Sequence, residues 1–200
     1  HFQPPLPDAL YREKDFFSLY PLDGGGYFIH SCILGTLRDE EICDKILSGA
    51  LDEFGTLPEL DFRRFEDWST IEKTSWINRL YFLVPMAKTA MLRNDRQLGS
   101  LIRKTIFAFY RNNPPPESRE EILMHWKAQE YRRDHDYNLC GITSGPADYQ
   151  WFDFQVASRV IHILLAAYFL RGMELFDSSD LEKLDTIIRD HARVIHTVEA

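Results

Sequence analysis

The chain has little cysteine: Cys32, Cys43 and Cys140 are its only three, and no two stand in a CxxC spacing. That excludes a disulfide framework and a zinc signature, and it leaves open one bridge plus a free thiol or three free thiols. Long hydrophobic runs are also missing. The longest uncharged apolar stretch, Val160 to Leu170, contains His162 and falls short of the roughly 20 residues a bilayer demands, so no membrane span is expected. Positive charge is scarce. Lys+Arg 23 against Asp+Glu 31 leaves a formal net charge of −8, which opposes nucleic acid or any other polyanion over the surface as a whole.

Catalytic signatures are sparse as well. There is no Gly-x-Ser-x-Gly elbow, no His-Glu-x-x-His pair and no Cys placed credibly beside a base. Gly24-Gly25-Gly26 lacks the GxGxxG spacing and any following Lys-Ser/Thr, so it reads as a turn and not a phosphate cradle. His191 and His196 stand five apart, a spacing that points them to different sides of a helix. His125, His135 and Asp136 could converge on a metal, but the expectation is no metal and no cofactor. His162, in an apolar helix, reads as a satisfied core histidine.

Aromatics, by contrast, abound: 14 Phe, 9 Tyr and 4 Trp in 200 residues, with 44% hydrophobic residues, exclude disorder and supply a real core. The dominant period is helical. Ile77, Leu80, Tyr81, Val84, Ala87 and Met91 predict a helix from about Thr70 to Arg93, kinked at Pro85. After Asn94-Asp95, a second stripe from Leu98 to Phe109 ends at Asn112-Asn113-Pro114-Pro115-Pro116, and so short a link makes the two an antiparallel hairpin. Ser118 with Glu121 reads as a capping box opening a more polar segment to about Tyr131. Arg132 to Gln150 reads as a long ordered loop.

Val156 to Leu170 is apolar all round and is expected to be an enclosed inner helix, stopped by Gly172. Ser179 with Glu182 is expected to cap the next helix, whose inner face carries Leu181, Leu184, Ile187, Ile188, His191, Ile195 and Val198. A shorter helix is expected between about Arg38 and Asp52. No strand alternation persists. The fold class is all-α, with residues 1–35 an irregular segment packed on a helical domain of residues 36–200. The chain opens at His1 with no initiator Met and no leader, and ends within a helical pattern at Ala200, as a fragment of a longer chain is expected to.

Two clusters carry chemistry. Trp76-Ile77-Asn78-Arg79 begins the kinked helix, and Asp148 to Gln155, including Trp151, is followed by Arg159. Sugars favour that mixture, because apolar ring faces stack on Trp while hydroxyl and carboxylate groups take donors from Arg and Asn. The alternative is that Trp76 and Trp151 are core aromatics, with Asn78, Arg79 and Arg159 in structural ion pairs to Asp or Glu.

These residues also carry a resemblance. Ile42 to Gly49 with Phe54 and Leu57-Pro58, then Trp76-Ile77-Asn78-Arg79 followed by Asn112-Asn113-Pro114, then Trp151-Phe152-Asp153-Phe154 with Ala157-Ser158-Arg159, resemble in order and spacing the N-terminal helical domain of heparinase II/III family polysaccharide lyases. The resemblance spans roughly Arg38 to Ala200. It implies an incomplete α/α toroid of antiparallel hairpins, covered in full-length members by a C-terminal β-sandwich domain. It implies β-elimination on a uronic-acid-containing glycan, such as a glycosaminoglycan or an alginate-like polymer, in which an Asn or His neutralises the uronate carboxylate and a Tyr or His removes the C5 proton. It also implies a periplasmic or secreted setting.

The family's catalytic Asn-His pair and Tyr would lie beyond residue 200, so no catalytic residue is carried over and this segment is expected to be inactive alone. Trp76, Asn78, Arg79, Trp151, Gln155 and Arg159 are carried over as cleft-wall sugar contacts. The acidic net charge favours a lightly sulfated or merely carboxylated glycan. Two other functions compete. One is a helical protein-interaction module, although no repeat period is present. The other is a glycoside hydrolase using Asp148 and Asp153.

Overall fold

The computed structural model describes residues 39–62, 77–80, 82–124, 126, 150–151 and 154–199. The expected N-terminal segment, the Gly24–Gly26 turn, the start of the kinked helix with Trp76, the end of the polar segment and nearly all of the Arg132–Gln150 loop lie outside the described residues, as do Cys32, Cys140, His125, His135, Asp136, Asp148 and Asp153.

Helix α1 (Asp39–Lys45) has Asp39, Glu40 and Glu41 in its first turn and Lys45 in its last, matching the helix dipole at both ends. It runs into a π turn (Ile46–Ala50) and a 3-10 turn (Asp52–Phe54). Gly49 makes that passage at φ 104°, where an added Cβ would lie 2.5 Å from Asp52 Oδ2. A two-residue antiparallel hairpin follows, β1 (Gly55–Thr56) with β2 (Glu59–Leu60), pairing Gly55 with Leu60. Strands this short carry no readable alternation, so the sequence offered no sign of them.

The expected helix from Thr70 through Pro85 to Arg93 is broken in the described part. Ile77 and Asn78 are helical, Leu80 turns left-handed at φ 55°, and α2 (Leu83–Arg93) starts only afterwards. Pro85 therefore stands in the first turn of α2, where a missing N–H costs nothing, and the chain bends before it and not at it. Asn94, left-handed at φ 49°, ends α2; Asp95 opens α3 (Arg96–Asn112) by accepting from the Gln97 and Leu98 amides. That two-residue link folds α2 and α3 back on each other as expected. Ser118 caps residues 119–124 through the Glu121 amide at 3.1 Å, while Glu121 reaches the Glu117 amide at 2.8 Å.

Helix α4 (Phe154–Leu170) and α5 (Ser178–Glu199) form the second hairpin, through a 3-10 turn (Arg171–Met173). Glu174, left-handed at φ 51°, makes the stop assigned to Gly172. The cap of α5 is Asp177 with Asp180, the Asp180 amide donating to Asp177 Oδ1 at 2.9 Å, and not Ser179 with Glu182. Among the described elements, α2 packs on α1, α3 and α4, and α4 also packs on α3 and α5.

The described chain is mostly helical and all-α in class. Helix α4 is not enclosed on every side: Ile163, Ala166 and Leu170 are buried, but Ile161 is 49% exposed. One stretch, Gln155–Met173, is after all long and apolar enough by length and composition to cross a membrane; more than half of it is buried inside the fold, which accounts for its apolarity.

Candidate functional site

The break around Leu80 removes carbonyls from the helical ladder, and a buried carbonyl without a donor is costly. Two of them, from Asn78 and Arg79, point at α4. The Asn78 carbonyl accepts from Arg159 Nη1 at 2.9 Å, and the Arg79 carbonyl lies 3.1 Å from His162 Nδ1. Polar residues stand on the most apolar helix because the broken segment beside it needs donors.

Arg159 is the hub. It is fully buried, and besides Asn78 it serves the Gln150 carbonyl through Nη2 at 2.7 Å and His191 Nε2 through Nε at 2.9 Å. Its guanidinium carbon lies 4.5 Å from the Phe109 ring centroid and 4.9 Å from that of Trp151. No carboxylate pairs with it among the described residues. Backbone carbonyls, an imidazole nitrogen and two π faces take the place of a counter-ion.

The remaining members tie the Phe62 segment and the end of α3 to this centre. The Phe62 carbonyl accepts from both Asn78 Nδ2 and Gln150 Nε2 at 2.8 Å each, and the Phe62 ring meets Phe109 edge-on at 4.7 Å. Asn113 closes the end of α3 on the Phe109 carbonyl at 2.9 Å, and its own carbonyl takes Trp151 Nε1 at 3.1 Å. Arg79 Nε donates to Gln155 Oε1 at 2.7 Å.

Protonation states follow from this geometry. His191 Nδ1 lies 2.7 Å from the Ile187 carbonyl and must carry the hydrogen, so Nε2 is free to accept from Arg159. Burial, then the Arg159 charge, holds His191 well below the usual histidine range. His162 is pushed down to about 4 by burial. Its Nδ1 also lies 3.4 Å from Ser158 Oγ, but the Nδ1 proton is committed to the Arg79 carbonyl, so that nitrogen cannot act as a base on the serine. Burial lowers even Arg159, to about 9. Burial and the bond to Asp190 push Tyr110 up to about 12, the wrong direction for a base at neutral pH.

Five of the six expected sugar contacts are thus brought together, but inward. Asn78 and Arg159 are 0% exposed, Gln155 2%, Trp151 4% and Arg79 7%. They were expected to wall an open cleft; instead their polar atoms bond to the protein, and the Trp151 indole covers Arg159 and His191, 4.7 Å from the latter. Their burial matches the structural alternative, but Asn78, Arg79 and Arg159 bond to carbonyls, an amide and an imidazole where that alternative expected Asp or Glu. Trp76 lies outside the described residues. The sequence reading missed Gln150, Asn113 and His191 as partners, although His191 interrupts an otherwise apolar stripe, as Arg159 does on α4, and both needed a buried partner. Among the described residues no three His, Cys, Asp or Glu side chains gather to hold a metal. No family model, curated protein or solved structure matches this chain.

Proposed function

We propose that this chain is the N-terminal helical scaffold of a heparinase II/III-like polysaccharide lyase, acting by β-elimination on a carboxylated, lightly sulfated uronic-acid glycan in a periplasmic or secreted setting. In this reading the paired hairpins belong to an incomplete toroid, and a β-sandwich of the same chain covers the cleft. One observation carries the proposal: the Asn-Arg, Asn-Pro and Trp…Arg motifs behind the resemblance, up to 81 residues apart, converge on one internal hub. Motifs that brace a shared scaffold recur in order and spacing for a physical reason. Their role is then to set the curvature of the wall from behind, and the sugar meets other side chains.

The test is the ultraviolet absorbance of unsaturated uronate when the intact enzyme meets alginate, chondroitin or heparin. The expected result is absorbance with a carboxylated or lightly sulfated polymer and none from residues 1–200 alone. Silence from every uronate polymer would overturn the proposal. The inward commitment of the hub donors also favours a second reading, a helical protein-interaction module; capture of a protein partner without any glycan turnover would support that one.

A further inference from the structure

Nine residues beyond Arg159 along α4, roughly 13 Å at the helical rise, a pocket of about 220 Å³ opens between the end of α4, the Arg171–Met173 turn and the start of α5. Its floor is hydrocarbon and aromatic, from Leu164, Ala167, Leu175, Phe176 and Leu184. Its lining also includes two exposed residues of opposite charge, Arg171 and Glu174. The Arg171 guanidinium lies 3.7 Å over the Tyr168 ring and gives Nη1 to the Tyr168 carbonyl at 3.0 Å, and among the described residues the rest of its donor fork has no further partner. Glu174 is held at φ 51° with its carbonyl facing Arg96, and among the described residues its carboxylate enters no ion pair. Both line the same pocket, and no ion pair joins them.

Those features narrow the ligand. The volume is below the roughly 300–1,000 Å³ of drug-sized sites, so the occupant is small. The floor requires an apolar body. A simple carboxylate would meet Glu174 and the net charge of −8, and a simple amine would meet Arg171. A zwitterion satisfies both edges. We propose that this pocket binds a free α-amino acid with a branched or aromatic side chain, its carboxylate on Arg171, its ammonium on Glu174 and its side chain on the leucine floor. The assignment is independent of the lyase reading, since none of these residues belongs to the arginine hub.

Calorimetric titration of the 200-residue chain with L-leucine and L-phenylalanine tests it, with phenylacetate and phenethylamine as half-ligands. Saturable binding of an amino acid is expected, with each half-ligand weaker by about tenfold or more. Arg171→Gln and Glu174→Gln should each weaken the amino acid by a similar factor, while Arg171→Gln should strengthen phenethylamine by relieving the like charge. Ala167→Phe should fill the floor and abolish binding; if it fails to fold by circular dichroism, Leu164→Phe replaces it. No saturation at millimolar amino acid, phenylacetate binding as tightly as phenylalanine, or wild-type affinity in both charge variants would overturn the proposal.

Discussion

At Arg159 a cost and a gain of similar size meet. A fully buried guanidinium with no carboxylate is expensive to desolvate, yet it is the shared donor to the Asn78 carbonyl, the Gln150 carbonyl and His191 Nε2. Replacing it with an apolar side chain removes the charge penalty but orphans three buried acceptors, at roughly 1–3 kcal/mol each. The orphaned acceptors outnumber the single charge they lose. Arg159→Met is therefore expected to destabilise the fold by about 3 kcal/mol, seen as a lower urea midpoint at unchanged slope; a midpoint within error of wild type would contradict the hub. Lysine should not rescue it, because one ammonium cannot span the fork that three separate acceptors require. That an arginine on an apolar helix needs a buried partner was legible in the sequence; which partner was not, since Gln150 and His191 come from segments 9 and 32 residues away.

Elements were legible where local chemistry decides them. The Asn94-Asp95 link, the stripe of α3 and its stop before Pro114 all appear where the sequence placed them, because cap, period and proline act within a few residues. Asp95→Ala should cost about 1 kcal/mol through loss of its bonds to the Gln97 and Leu98 amides, measured as a fall in Tm, with Asp95→Asn retaining most of it. Equal losses for both substitutions would show that the cap is not the cause. The break at Leu80 was not legible. A left-handed leucine carries no local signature, and it persists because its side chain is fully buried and the freed carbonyls are received by α4. Gly99 has a similar origin: it stands within α3, where a Cβ would lie 2.4 Å from Leu175 Cδ1, a close approach set by the second hairpin and not by α3 itself.

Across the whole molecule the two buried histidines predict an acid limit. Their pKa values are depressed in the folded state, so the unfolded chain binds more protons below the ordinary histidine value of 6.5, and stability falls as pH drops from there. For His162 the loss accrues down to its folded value of about 4 and is on the order of 3 kcal/mol; His191 adds to it in the same direction. Urea midpoints should therefore be flat above neutrality and decline between pH 6.5 and 4, and His162→Gln should flatten part of that decline. A midpoint independent of pH across that window would show that the histidines are accessible. The hub links α4 to α5, to the end of α3 and to the segments at Phe62 and Asn78, so acid should release these together in one transition and not as separate steps.

The sequence by itself determined the class of fold, the hairpin pairing of α2 with α3 and the inner face of α5, because helical period, caps and composition are properties of neighbouring residues. Tertiary structure alone decided which way those residues face. Whether an arginine or a tryptophan meets solvent depends on which buried carbonyls lack a donor, and that demand arises only when the broken segment before α2, the end of α3 and α5 are packed against α4.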